Sequence, residues 1–441
     1  MKHWDKLLFV LGVLMAVFAY GVIVGKYEIF PFEQLNSAKD AVNALKQEID
    51  PEDDPTFDSP RDRGGVTRWE RDAAYDGVTF IAMQRDGGML GLLVDMEGKE
   101  LHRWRLAFSE VWPKAEQLVS QGPDERFIWH GMHLFANGDL LVNFEAGGFP
   151  AGAGLVLMDR DSKVRWKLPV NSHHDLQVLP DGRIMVAAHV YNREGVAACQ
   201  PFFRPPYMED LLLTVSPDGK LLDRVSVLEA LCDSPARVKL MSQGGYNTTF
   251  SPRRRAEDPL HLNNLEPLLS EMAGQWPMAK PGDVLVSLRN LSMVGFIDGQ
   301  THKMGWTMTG PFVRQHDPDL MPNGHILVFD NLGGKGGPGG RSRILEMDPA
   351  TQRIAWEYAG TAEDPFDSGK GGTQQPLPNG NVLVAEAWGG RVFEVTRDTP
   401  PRIAWEYVNL VEKKEKGGVV GAVLTAFRFR RDELPFIPAA P

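Results

Sequence analysis

The chain has 441 residues, 43% of them hydrophobic and 24% charged, and a formal net charge of -11. That length can bury a large core, while the acidic balance leaves no basic field for phosphates and excludes a nucleic-acid binder. Only two cysteines occur, Cys199 and Cys232, which excludes a disulfide scaffold or a cysteine-based zinc site.

Leu7 to Gly25 is an uncharged apolar run, long enough to cross a hydrocarbon core as a helix. Lys2 and Lys6 precede it, so the positive-inside bias predicts a cytoplasmic N-terminus and an exported remainder. Val17-Phe18-Ala19 would suit a signal peptidase, but the apolar run continues past Ala19, which favours a retained single-pass anchor. The expected location is the inner membrane, with the bulk of the chain in the periplasm. Export would permit a Cys199–Cys232 disulfide; two buried thiols are the alternative. From Phe32 to Gln47, the residues Leu35, Ala38, Val42 and Leu45 recur at helical spacing and predict a short stalk helix, with self-association into a homo-oligomer left open. Glu48 to Pro55 is acidic and proline-containing and reads as a linker. The expected divisions are 1–28 for the cytoplasmic tip and anchor, 29–70 for stalk and linker, 71–430 for a β domain and 431–441 for a tail.

Two signals alternate through the β domain. The first is a turn after an apolar residue and Asp, followed by a strand that often carries Trp. It occurs at Leu93-Val94-Asp95 with Trp104, at Leu157-Met158-Asp159 with Trp166, and more weakly at Val215 to Gly219. It returns at Phe296-Ile297-Asp298 with Trp306, at Glu346-Met347-Asp348 with Trp356, and at Glu394 to Asp398 with Trp405. The second is an Asn/Asp-Gly turn at Asn137-Gly138, Asp181-Gly182, Asn323-Gly324 and Asn379-Gly380, with a disguised copy from His261 to Gly282-Asp283. Each precedes an apolar strand. One turn of each kind per repeat gives four strands, and six such repeats predict an all-β, six-bladed β-propeller. The first repeat lacks its leading strand, which Val419–Phe427 could supply. A β-sandwich or two smaller β domains is the runner-up fold.

In a propeller the first strand of each blade lines a central channel. Eight residues before a turn glycine stand His130, His174 and His316, and His261 heads the corresponding strand of the fourth repeat. In the sixth repeat the place falls to Gly372, with Thr373 next. A lone strand-end histidine is more often structural than catalytic, but the shared register aims four imidazoles at one axial pocket. Arg289 ends the strand after His261 and offers a planar donor fork to a sulfate or phosphate. By strand alternation Asn263 shares a face with His261.

At these residues the chain resembles the bacterial arylsulfotransferase family, exported enzymes that move sulfate between phenols without a nucleotide donor. The resemblance is carried by His261-x-Asn263, Ser287-x-Arg289, Leu93 to Gly98 with Trp104, and most strongly by Gln315-His316-Asp317 leading through Pro322-Asn323-Gly324 to Phe329-Asp330-Asn331. It implies a six-bladed propeller with its active site in the channel. It further implies that His316 carries the sulfuryl group and that His261, Arg289 and His174 hold the sulfate oxygens. Asn263 would act in support, with Thr373 matching a threonine of the last blade; the shared histidine register, not the resemblance, adds His130 to the substrate-binding set. Aryl sulfate donor and phenolic acceptor would be the partners, and no metal or other cofactor is expected. The separate N-terminal β domain of well-studied members is replaced here by the anchor and stalk.

Other readings compete. His173-His174 with His130 and His261 could bind a metal, although Arg289 in the same pocket would repel a cation. A non-catalytic, membrane-anchored propeller scaffold would instead use a propeller face, for which the insertion from Ala197 to Leu260, with Arg253-Arg254-Arg255, is the candidate. Gly333 to Arg341 lacks the spacing and the following helix of a phosphate loop and reads as a loop between strands.

Overall fold

The computed structural model describes residues 2–27, 29–32, 34, 56–118, 121–146, 152–199, 205–242, 258–332, 340 and 342–438. Most of the expected stalk, the linker, the Arg253–Arg255 run and nearly all of the glycine-rich stretch from Gly333 to Arg341 lie outside the described residues. The chain divides into two units, residues 1–54 with 245–254, and residues 55–244 with 255–441.

Among the described residues the first unit contains the helix Lys2–Tyr27, which includes the apolar run. Its segment Trp4–Tyr27 is long and apolar enough to cross a membrane, a property that a signal sequence shares.

The second unit is mostly β. Six antiparallel sheets account for nearly all of it. In chain order their first strands are Val423–Phe429, Phe127–Leu134, Ser172–Val178, Leu262–Pro267, His316–Leu320 and Thr373–Pro376. Five sheets have four strands and the sixth has five. Each first strand neighbours the first strand of the next sheet, and Val423–Phe429 lies between Thr373–Pro376 and Phe127–Leu134. The second and third strands are mostly buried, Val284–Leu288 and Met293–Ile297 along their whole length. The fourth strands, such as Val164–Leu168 and Arg353–Tyr358, carry charges outward. That gradient suits sheets stacked face to face, with charge guarding the outer edges.

The recurring turns have a direct physical cause. Gly138, Gly182, Gly324 and Gly380 have φ of +87°, +84°, +81° and +90°, a region closed to most side chains. The side chain of the preceding residue caps the turn, as when Asn137 Oδ1 accepts from Asp139 N at 3.0 Å. The recurring tryptophans clamp neighbouring sheets. Trp104 Nε1 of the first sheet donates to Gly138 O of the second at 3.0 Å. Trp166 does the same from the second sheet to Pro217 of the third at 3.1 Å, and Trp405 from the sixth to Met96 of the first at 3.0 Å. Each such bond is worth about 1 kcal/mol beyond the ring burial.

The strand missing from the first repeat comes from the C-terminal region. Val423–Phe429 pairs antiparallel with Val78–Arg85, while the preceding Gly418–Gly421 belongs to a small three-stranded sheet with Thr56–Ser59 and Leu410–Lys413. The β unit also starts before the expected boundary at 71. Gly65–Trp69 adds a fifth strand to the sixth sheet by pairing with Ile403–Val408. At the other end, Leu434 and Ile437 of the expected tail are buried in the core around Trp104. Cys199 and Cys232 are joined by a disulfide across the insertion of the third sheet, and both are buried.

Candidate active site

Four first strands bring their histidines together, and each breaks its pairing register at that point. The irregularities fall between Trp129 and Met132, Ser172 and Leu176, Leu262 and Asn264, and His316 and Asp319. A β-bulge leaves one residue out of the ladder and turns its side chain. His174 and His261 take left-handed φ of +52° and +55°, and Asp317, next to His316, takes +47°. Such conformations cost a non-glycine residue about 1–2 kcal/mol each and cluster where function fixes a side chain. In the second sheet the bulge falls at Gly131, where a Cβ would lie 2.5 Å from His174 O, so glycine lets the second and third strands approach.

The imidazoles converge on His174. Its ring centroid lies 4.3 Å from that of His130, 4.8 Å from His261 and 6.5 Å from His316. His173 and His189 extend the cluster, so six of the chain's eleven histidines lie in one place.

Each outer imidazole has a partner that fixes its orientation. His130 Nδ1 donates to Glu145 Oε2 at 2.8 Å, and the same oxygen accepts from His174 N at 3.2 Å. Burial alone would raise the Glu145 carboxyl, but the charge and hydrogen bond of His130 bring it down to about 2. His261 Nδ1 donates to Asp258. His316 Nδ1 lies 2.7 Å from Asn331 Oδ1, and Asn331 Nδ2 donates to Ser368 O and Gly371 O at 2.7 and 2.8 Å. Two carbonyl acceptors fix the Asn331 amide nitrogen, so its oxygen must accept and His316 carries its proton on Nδ1. Nε2 therefore holds the lone pair, and among the described residues no hydrogen bond reaches it. Burial and then the Arg289 charge push His316 down to about 3, so its ring is neutral at pH 7.

Arg289 begins a short helical turn after Val284–Leu288, and its backbone N–H donates to His261 O at 3.1 Å. Burial and then the nearby Arg314 charge lower its pKa, partly offset by Asp258. Among the described residues neither arginine makes an ion pair with a carboxylate. The Arg289 guanidinium, in no ion pair among the described residues and acting on the neutral His316 ring, makes a field suited to an anion.

Two expected residues have other immediate partners. Asn263 does not follow simple alternation, because the bulge between Leu262 and Asn264 turns it; its Nδ2 donates to Gln315 O at 2.7 Å, bracing the strand entry of His316. Thr373 heads the first strand of the sixth sheet, and its hydroxyl meets that of Thr425 at 2.9 Å. Glu145, Asp258 and Arg314 are not among the residues expected from the sequence, and Asn331 is there only as the end of the motif that begins at Gln315. A cavity of about 430 Å³ lined by Tyr75, Gln375, Arg428 and Arg430 contains none of the imidazoles.

Further along the same strands lie four carboxyl groups, Asp175, Glu266, Asp317 and Asp319, interleaved with Asn264 and Gln374. Burial, then mutual repulsion, raises Glu266 to about 8 and Asp317 to about 7; burial alone raises Asp175 to about 7. These groups bind more protons folded than unfolded, so their contribution to stability is complete below the ordinary carboxyl range and is lost as pH rises through 7–8. His316 and His174, held low, act oppositely but only below about pH 6.5. The melting temperature is therefore expected to fall between pH 6.5 and 9, with a shallower slope in Glu266→Gln. Calorimetry across that range checks this; a flat or rising profile would contradict it.

A mostly β chain whose repeated sheets bring imidazoles and an unpaired arginine to one place has the makings of an enzyme that acts on an anionic group. The sequence matches the arylsulfotransferase (ASST) family over residues 131–409, more than half its length, and the chain belongs to that family. None of the curated proteins compared with it matches. Among solved structures it is similar to a protein of unknown function from Bacteroides caccae, with 12% identity and a TM-score of 0.47 over 80% of this chain and 100% of that one. It is also similar to the WD40 β-propeller domain of Doa1, with 11% identity and a TM-score of 0.40 over 85% and 94%. A third similarity is to virginiamycin B lyase from Staphylococcus aureus with quinupristin, with 11% identity and a TM-score of 0.36 over 65% and 71%.

Proposed function

We propose that the chain is a single-pass, membrane-anchored, six-bladed β-propeller that transfers a sulfuryl group from an aryl sulfate to a phenol through a sulfohistidine on His316. The cyclic order of the six first strands supports the propeller reading, and membership of the family supports sulfuryl transfer. One observation carries the choice of nucleophile. His316 is a neutral ring, tied at Nδ1 to Asn331, with the unpaired Arg289 charge acting on it.

Sulfuryl transfer resembles phosphoryl transfer, with a loose transition state and charge on the non-reacting oxygens. His316 Nε2 donates its lone pair to sulfur, the bond from sulfur to the aryl oxygen breaks, and phenolate leaves. Arg289, with His174 and His261, stabilises the sulfuryl oxygens. An incoming phenol then gives its proton to a neighbouring base, its oxygen bonds to sulfur, and the S–N bond breaks to restore neutral His316. His130, oriented by Glu145, is placed for that proton. Asn263 holds the Gln315 carbonyl and so positions His316, and Thr373 with Thr425 borders the site. The N-terminal helix and the disulfide support an anchor in the inner membrane with the β unit in the periplasm.

Transfer from a chromogenic aryl sulfate to phenol by the full chain in detergent tests this. Varying donor and acceptor should give the parallel-line pattern of ping-pong kinetics, with no dependence on a nucleotide. Arg289→Ala should slow the donor half-reaction by about 10²–10³. Intersecting lines, or an Arg289→Ala enzyme as fast as the wild type, would overturn the reading.

A further inference from the structure

A second cluster adjoins His174. His173, His189 and Asp210 come from three consecutive strands of the third sheet, Ser172–Val178, Ile184–Asn192 and Tyr207–Val215. Each offers a ring nitrogen or carboxylate oxygen, and these atoms lie within 4.8 Å of one another. All three residues are buried, at 3%, 8% and 2% exposure. The two rings stack with centroids 4.6 Å apart.

Hydrogen bonding leaves the cluster incomplete. His173 Nδ1 meets His174 Nδ1 at 2.9 Å, but among the described residues the buried His173 Nε2 has no well-formed hydrogen bond. Asp210 Oδ1 is 3.4 Å from it, and Asp210 Oδ2 is already taken by Leu262 N at 3.0 Å. His189 Nε2 accepts only a 3.2 Å bond from Gly152 N. A second carboxylate, Asp258, is near enough for its charge to act on both rings. Buried polar atoms are rarely left unpaired, and an orphan among metal-type donors calls for an explanation.

We propose that His173, His189 and Asp210 bind a divalent transition-metal ion, with zinc the best match. Two imidazole nitrogens and one carboxylate oxygen form a donor set for a borderline ion of this kind, with a fourth position left open. Calcium would need six or more oxygens. His173 ligates through the orphaned Nε2 and Asp210 through Oδ1, and a metal–nitrogen bond at His189 displaces only a long hydrogen bond. The other grouping of this type, His130, Glu145 and His174, is already closed by a 2.8 Å hydrogen bond between His130 and Glu145.

Ligation at Nε2 places the His173 proton on Nδ1, which donates to His174 Nδ1. His174 must then carry its own proton on Nε2, as a donor. The ion thus sets the tautomer of a substrate-binding histidine from one residue away. This last consequence rests on the sulfuryl-transfer reading; the binding of the ion does not.

The test uses the tag-free full chain in detergent, stripped with a chelator and titrated with zinc chloride. Metal content is read by elemental mass spectrometry and stability by thermal melting. One zinc per chain is expected, with Tm raised by at least about 3 °C at saturation. Asp210→Asn and His189→Gln should each weaken zinc binding at least about 100-fold, while His130→Gln should retain it. If either variant fails to fold, the other variant and the wild-type titration decide. Absence of stoichiometric uptake with an unchanged Tm overturns the proposal. So does uptake that survives both variants, or uptake lost with His130→Gln. Zinc binding without sulfuryl transfer would support this site and count against the reaction instead.

Discussion

His316→Ala is expected to abolish sulfuryl transfer, lowering turnover by at least about 10⁴, since loss of an enzyme's nucleophile can cost on the order of 10⁶. The direction follows from how the ring is held. Asn331, with its nitrogen bound to two backbone carbonyls, can only accept from His316. The lone pair is therefore on Nε2, and burial with the Arg289 charge keeps it free of a proton down to about pH 3. A weakly basic nitrogen is a modest nucleophile but a good leaving group, which suits a ring that must release sulfur in the second half-reaction. Arg289 opposes protonation of the ring, and in the proposed reaction the same charge would assist the sulfuryl oxygens, so the two roles would reinforce each other. After incubation with donor alone, mass spectrometry should find one added sulfuryl group on the peptide containing His316, and none in His316→Ala. Asn331→Ala should retain reduced transfer, because it loosens the ring without removing it. Full activity in His316→Ala would sink the assignment, whatever the family.

Much of this site is legible in the sequence at one offset and was missed at another. Eight residues before the turn glycines stand His130, His174 and His316, and the structure brings these rings together. Seven residues after the turn glycines Gly138, Gly182, Gly282 and Gly324 stand Glu145, His189, Arg289 and Asn331. Every one of these lies in or beside the imidazole cluster, yet only Arg289 was expected there. The second offset marks the end of the second strand, next to the head of the first, so the repeat that reveals the histidines also locates their partners. Other features had no such signal. A bulge does not show in a pattern of alternation, and the bulge in Leu262–Pro267 turns Asn263 towards Gln315. Asp258 precedes its strand and joins the site only because His261 takes a left-handed turn. The carboxyls Asp175, Glu266, Asp317 and Asp319 each look like an ordinary polar strand residue; they are half-buried, and their proximity to one another arises between sheets. Gly65–Trp69 falls in the expected linker because five residues are too short to show a pattern alone, and the partner strand lies more than 300 residues away.

Deleting residues 422–441 should leave no cooperatively folded β unit. The missing segment supplies the strand paired with Val78–Arg85, which is buried along nearly its whole length and would become an open edge. Four large aliphatic side chains go with it, Val423, Leu424, Leu434 and Ile437, all buried. At about 1.5–3 kcal/mol each, their loss amounts to roughly 6–12 kcal/mol, comparable with the whole stability of a typical domain, about 5–15 kcal/mol. The deletion also strands a charge. Arg428 and Glu394 form an ion pair at 3.2 Å with both side chains fully buried, and Arg428 further donates to Thr79 Oγ1 at 2.7 Å. Glu394 would keep only Tyr75 N and the Asn379 and Asn381 amides as donors. Removing one partner of a buried pair typically costs about 3–5 kcal/mol, so Arg428→Ala alone should lower stability by that amount while leaving the strand in place. Chemical denaturation of Arg428→Ala, beside size-exclusion and thermal melting of the truncated chain, separates the two contributions. A truncated chain that melts cooperatively at the wild-type temperature would mean that Val423–Phe429 adds nothing to the sheet it joins. The intermediate result, a weakened Arg428→Ala protein and an aggregating truncation, is the one expected if Val423–Phe429 is an integral strand of the sheet that contains Val78–Arg85.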